Sequence, residues 1–367
     1  MHSDLERPQA SKSAKKARQV LALILTGLVL IALADLWSQY AAGGHHWKQT
    51  DWLINVENQW VRRGLLGSAL IRLSDALSAD LLTVTVLVQA AFILLAAAGV
   101  YATLSRAIWH VAHSSVALLP PVYQVMAASR FDGLLTKELI AIAGLGLICL
   151  SPGVGTLLLS LGFFAHEGLV FFLPAGLALL WRFGACKHWM VVMILSGLSA
   201  FAYAFVFRTA EDSALICAPL LQRGIGEHLC SGPISYLALN LIDFTKSTIV
   251  DHLPTFRTLV YLAAWSSSVV LLALLWRNQD NMKIGLACLV PVLPLFFLAE
   301  DYGRWFSMAF TSAVLIASTY RIGAPRPILA IAVAAGSMVV TFGPVGGVYF
   351  SGIANRIVKL WLPGLLG

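Results

Sequence analysis

Charge is what this sequence lacks. Only 12% of its 367 residues are Asp, Glu, Lys or Arg, against roughly 25% in an average soluble domain. With 59% hydrophobic residues and a mean hydropathy of +0.80, there is too little polar surface to coat a water-soluble globule. No Walker loop, GxGxxG, GxSxG, HExxH or CxxC occurs. That argues against an ATP-driven or nucleotide-binding enzyme and predicts neither metal nor cofactor. Cysteines number five. Cys149, Cys186 and Cys288 lie in or beside apolar stretches and read as packing residues. Cys217 and Cys230 flank a polar loop and suit a disulfide if that loop is extracytoplasmic.

What is present is a succession of apolar runs. A bilayer span takes about 20 mostly apolar residues, and its backbone must satisfy its own hydrogen bonds. The runs are continuous rather than alternating, which selects helices over a barrel. Candidate spans are 20–42, 80–104, 110–128, 139–151, 154–166, 168–181, 188–207, 258–276, 284–300, 304–320 and 328–350. The expectation is an all-α polytopic transmembrane bundle of 10–11 spans. Residues 1–19 form a basic cytoplasmic segment, 20–350 a single transmembrane domain and 351–367 a short tail. The run from Val20 to Leu36 ends without a clear small-x-small cleavage site, so it reads as a retained first helix. The amphipathic stretch 64–78 is too short to span and reads as interfacial, as does 234–255.

Basic residues set the orientation. Arg106, Arg182 with Lys187, Arg277 with Lys283, and Arg321 with Arg326 mark four inner loops. Parity from a cytoplasmic N-terminus then puts 43–79, 129–138, 208–257 and 301–304 outside. The net charge of +7 resides largely at span ends and so does not point to nucleic acid. Residues 154–181, between two inner loops, are too few for two full spans at about 1.5 Å per residue. They fit a half-depth hairpin turning near His166 and Glu167.

Four charge clusters therefore share the outer side. The first outer loop carries Asp51, Glu57, Arg62 and Arg63 among Trp47, Trp52 and Trp60. The tryptophans fit an interfacial belt, but adjacent arginines break the rule that outer loops avoid basic residues. That pattern points to an anionic partner. The second cluster holds Arg130, Asp132, Lys137 and Glu138, the last two opening a helix. The third is His166 with Glu167, alone within a long apolar stretch and suited to proton transfer. The fourth is Glu300, Asp301 and Arg304 beside Gly303. Local ion pairs and helix caps are the plain structural alternative for the second and fourth.

From Lys137 to Pro174 the chain reads KELIAIAGLGLICLSPGVGTLLLSLGFFAHEGLVFFLP. This stretch resembles the EpsG/Wzy-type polysaccharide polymerases, which carry a charged pair at a helix start, an apolar helix, a short turn and a second helix ending in a Phe-His motif. Lys137 and Glu138 stand where that family usually has arginine and glutamine, and Glu167-Gly168 departs from its pattern after the histidine. The resemblance implies a bacterial inner-membrane, metal-independent enzyme that acts on polyprenyl-diphosphate-linked glycans at the extracytoplasmic face. Its partners would be the lipid-linked oligosaccharide, membrane lipid, and a chain-length regulator or other polysaccharide-assembly proteins. Asp51 lies in the first outer loop, where lipid-dependent glycosyltransferases of the GT-C type often place an acidic base.

The residue chemistry is compatible with that implication. Arg62, Arg63, Arg130 or Arg304 suit a diphosphate, with Asp132, Lys137, Glu138 and Asp301 completing the binding residues. Asp51, His166 and Glu167 are the alternative proton acceptors. A transporter or flippase of a lipid-linked or anionic substrate is the competing class, since intramembrane charges also mark transport paths. A membrane acyltransferase with His166 as base is a third.

Overall fold

The computed structural model describes residues 12–119, 121–122, 137–238, 256–277, 280–295, 302–320, 322–339, 341–342, 348–349 and 353. Among the described residues the regular structure is helical apart from one antiparallel pairing of Thr341–Phe342 with Val348–Tyr349. Three helices among the described residues are long and apolar enough to cross a membrane: α1 (Lys12–Ala41), α4 (Leu81–Ala107) and Lys187–Val206. At about 1.5 Å per residue each reaches the roughly 30 Å of a hydrocarbon core. Between α1 and α4 lie the short helices α2 (Lys48–Leu53) and α3 (Gly64–Leu77). Next come α5 (Glu138–Leu147), α6 (Pro152–Ala165), α7 (Leu173–Arg182) and α8 (Lys187–Val206). The remainder comprises α9 (Ser213–Leu221), α10 (Pro233–Tyr236), α11 (Phe256–Trp276), α12 (Asn281–Leu289), α13 (Tyr302–Ala317) and α14 (Pro327–Val339).

The outside of this bundle is apolar. Leu23, Trp181, Leu195, Phe205 and Ile328 are exposed, a pattern that suits lipid rather than water around the helices. Inside, α4 and α5 cross where Gly99 meets Gly146. A Cβ on Gly146 would lie 2.7 Å from the Gly99 Cα, so only glycine permits this approach. Gly144 does the same between α5 and α6, where a Cβ would fall 2.6 Å from the Leu159 nitrogen. Ser151 caps α6 by accepting from the Val154 N–H, and Pro152 starts it.

Two apolar cores result. The larger joins the long helices through residues such as Leu25, Ile93, Leu145, Leu159, Phe172 and Phe310. The smaller unites the segments expected outside, with Trp52, Ile54, Ile71, Ile216, Leu220 and Leu229. At the opposite end the four expected inner loops meet. Arg106 lies over Phe183, and Arg182 lies over Tyr320 while donating to the Thr319 carbonyl. Gly323 N–H donates to the Trp276 carbonyl at 2.8 Å.

Two expected spans need correction. The run 110–128 holds a 3-10 helix, Val111–Leu118. Its Ser114 hydroxyl donates to the Ala17 carbonyl and its Ser115 hydroxyl to the Ala112 carbonyl. Such side-chain bonds compete with a regular helix, and the pair Pro120-Pro121 follows. Of the run 328–350, the described helix α14 ends at Val339, and Thr341–Phe342 and Val348–Tyr349 pair as strands instead of continuing a span. The stretch 64–78 forms α3, with Gly64, Gly67, Ser68, Ile71 and Ser74 buried on one face. Of 234–255, the described part is the end of α10 and Leu237–Ala238; 239–255 lie outside the described residues. Of the tail 351–367, Ile353 alone is described.

Candidate functional site

The site is built on a helix break. α6 stops at His166, whose backbone is extended (φ −155°, ψ 116°), and a 3-10 turn, Glu167–Phe172, leads into α7. The break projects Glu167 toward the segment between α2 and α3. There Arg63 adopts a left-handed conformation (φ 67°, ψ 0°), uncommon for a residue with a Cβ. Adjacent side chains on an extended strand diverge. The left-handed turn instead lets Arg62 and Arg63 converge on one carboxylate. Arg63 donates from Nε to Oε2 at 2.8 Å and from Nη2 to Oε1 at 2.6 Å, a bidentate pair. Arg62 Nη1 adds a longer bond of 3.3 Å to Oε1. Burial disfavours charge on both guanidiniums and Glu167 opposes that effect. The balance leaves Arg62 below its ordinary pKa and Arg63, with its added hydrogen bonds, above it.

Lys137, fully buried at the start of α5, reaches the same place. Its Nζ donates to the Arg63 carbonyl at 3.2 Å and lies 3.9 Å from Asp51 Oδ1. Asp51 is 4% exposed, and its Oδ2 has no hydrogen-bond partner. Beside Lys137, Glu138 is ion-paired with Arg304 of α13. Arg304 also lies over the Trp305 ring, which meets His166 edge to face at 5.7 Å. His166 Nδ1 accepts from the Gly168 N–H at 3.0 Å. That bond occupies the Nδ1 lone pair, so a neutral His166 carries its proton on Nε2 and presents a donor. Four cations, Arg62, Arg63, Lys137 and Arg304, thus face three carboxylates, Asp51, Glu138 and Glu167. Among the described residues no group of three or more His, Cys, Asp or Glu is placed to hold a metal ion.

Of the residues singled out by sequence, the structure brings together Asp51, Arg62, Arg63, Lys137, Glu138, His166, Glu167 and Arg304. Arg130, Asp132 and Asp301 lie outside the described residues. Cys217 and Cys230 form a disulfide with Cα atoms 5.6 Å apart, closing the loop that leaves the second half of α9. Trp52 is fully buried against Phe92 rather than placed in a belt. Its neighbours in α2 are all buried, so the ring points into the outer core.

Sequence reasoning missed a buried polar network beneath Asp51. Lys48 Nζ is 2.9 Å from Asp35 Oδ2, and Gln39 donates to the same oxygen at 2.7 Å. Gln49 donates to Gln89 at 3.0 Å, and Gln89 donates to the Lys48 carbonyl at 3.1 Å. Thr50 Oγ1 donates to the Leu229 carbonyl at 2.7 Å. The available signal was Asp35 with Gln39, one helical turn apart in an otherwise apolar run, and Gln89 alone within another. Comparison of the chain with models of protein families, with curated proteins and with solved structures finds no match.

Proposed function

We propose that this chain is a polytopic bacterial inner-membrane glycosyltransferase that polymerises polyprenyl-diphosphate-linked glycans at the extracytoplasmic face, in the synthesis of a surface polysaccharide. On this reading the chain crosses the membrane several times, its N-terminus is cytoplasmic, and α6–α7 is a hairpin turning within the outer leaflet. The observation that carries it is the gathering of Arg62 and Arg63 on the half-buried Glu167 carboxylate, with Lys137 on the Arg63 carbonyl beside Asp51. Guanidiniums match phosphate oxygens bidentately, and buried cations stabilise charge that develops on a leaving diphosphate.

Asp51 is the base in this reading. Asp51 Oδ2 is a buried carboxylate oxygen with no hydrogen-bond partner, whereas His166 presents a donor. An acceptor-sugar hydroxyl passes its proton to Asp51 as its oxygen bonds to the donor's anomeric carbon. The bond from that carbon to the diphosphate oxygen breaks, and the lipid diphosphate leaves with the electron pair. The arginines and Lys137 receive that charge. Purified chain with lipid-linked oligosaccharide should lengthen the glycan. Asp51→Asn should slow lengthening by about 10²–10⁴-fold, and Arg63→Ala should abolish tight substrate binding. Normal polymer length in both variants sinks the proposal.

A transporter of a lipid-linked anion is the second reading, since a buried charge within a long apolar helix, such as Asp35 in α1, also marks transport paths. Liposomes separate the two, because a transporter moves the substrate across the bilayer without lengthening it.

A further inference from the structure

We infer that Glu167 is a built-in occupant of the Arg62–Arg63 site, which an incoming diphosphate group displaces. The inference rests on the diphosphate reading proposed above. The Arg63 fork holds the carboxylate by parallel N–H···O bonds of 2.8 and 2.6 Å, the same geometry a guanidinium offers a phosphate. Glu167 therefore sits where a substrate oxyanion would sit.

The carboxylate does not exhaust the site. Arg62 Nε is buried without a hydrogen-bond partner, and the Arg62 bond to Glu167, at 3.3 Å, is beyond the usual N–H···O range of about 2.7–3.2 Å. A carboxylate has two oxygens, whereas a diphosphate presents more and carries more charge. The larger anion can satisfy Arg62 Nε and Arg63 together.

The chain permits the exchange. Glu167 follows the extended residue His166 and precedes Gly168, at the junction of α6 and the 3-10 turn. As the first residue of that turn, Glu167 projects from a break between helices rather than from a helix interior. Lys137 lies within electrostatic reach of Glu167. The device keeps two buried guanidiniums neutralised in the empty site and releases them to an anion that binds more strongly.

The test is calorimetric binding of two probes, inorganic pyrophosphate and a polyprenyl diphosphate, to the full chain in detergent micelles. Glu167→Gln removes the competing charge and is expected to bind at least about fivefold tighter than the wild type. Arg63→Ala should lose binding. A gain for both probes means that the site reads the diphosphate itself. A gain for the polyprenyl diphosphate alone assigns it to the lipid-borne group. Glu167→Asp withdraws the carboxylate by one methylene and keeps its charge. It should show a smaller gain in the same direction, and it carries the test if Glu167→Gln does not fold. Equal or weaker binding by the folded variant, with wild-type binding intact, overturns the displacement and leaves the diphosphate reading standing. No binding of either probe to any form overturns both.

Discussion

Arg63 combines two energetic features that mutation can separate, a buried ion pair and a left-handed backbone. Arg63→Ala removes the bidentate pair but keeps a Cβ at φ 67°. Losing one partner of a buried pair costs about 3–5 kcal/mol. Here Arg62 still faces Glu167, and the paired side chains retain 24% and 20% exposure, so the lower end, about 3 kcal/mol, applies. Arg63→Gly loses the same pair but relieves the left-handed penalty of about 1–2 kcal/mol. The greater freedom of glycine in the unfolded chain returns about 0.4–1 kcal/mol of that. Arg63→Gly should therefore be more stable than Arg63→Ala by about 0.5–1 kcal/mol, though both fall below the wild type. Denaturant titration of the detergent-solubilised protein measures the order. A double-mutant cycle of Arg63→Ala with Glu167→Gln should show a coupling of about 2 kcal/mol. Additivity within about 0.5 kcal/mol, or an alanine variant more stable than the glycine one, would refute the reasoning.

Lys137→Met should cost about 3 kcal/mol in the same titration, because Asp51 loses its facing cation in a buried site; adding Asp51→Asn should restore part of it. Replacing Cys217 and Cys230 by serine should lower stability by about 3 kcal/mol, the loop-closure value for a separation of this size, and reductant should then have no further effect. Gly146→Ala should cost about 1–3 kcal/mol, read as a fall in Tm, through overpacking against Gly99. At the exposed outer surface the hydrogen bond from Arg223 holds the Asp75 carboxyl below its ordinary pKa. Its contribution is complete above the unfolded value of about 3.9 and fades as pH falls through the folded one. Melting curves of Asp75→Asn should consequently converge on the wild type below about pH 4 and lie lower above it.

The helical membrane character was legible because about 20 apolar residues in succession have few alternative fates. The break at His166 was legible too, since 154–181 is too short for two full spans and its polar pair marks the turn. Arg62, Arg63, Glu167 and Lys137 were each visible as charges out of place. Their pairing was not, because it depends on the left-handed turn at Arg63, and the residue in that conformation is an arginine rather than a glycine. The 3-10 segment Val111–Leu118 was misread because hydropathy counts Ser114 and Ser115 as mild interruptions, whereas their hydroxyls redirect the hydrogen bonding. Lys48 was not among the residues that the sequence singled out. Nothing local in HHWKQTDWL shows that it reaches back to Asp35.

That last pair bears on the choice between chemistry and transport. α2 is six residues long and every one of them is buried. Lys48 is fastened to α1, Gln49 to α4 and Thr50 to the loop closed by the disulfide. Asp51 faces α5, and Trp52 packs on Phe92 of α4. Alternating access requires one group of helices to rock against another around the bound substrate. Rocking α1 against α4 and α5 would part Lys48 from Asp35 or Asp51 from Lys137, leaving buried charge uncompensated at several kcal/mol each. A base on a helix held by four other elements instead suits a transferase, whose acceptor must be presented to a fixed group. Asp35→Asn with Lys48→Met removes one brace without leaving a charge. For a transferase, glycan lengthening should slow by reduced turnover while pyrophosphate binding persists, since the arginines are anchored elsewhere. For a transporter, the same variant should move substrate across liposomes faster, because the motion it needs has lost a restraint.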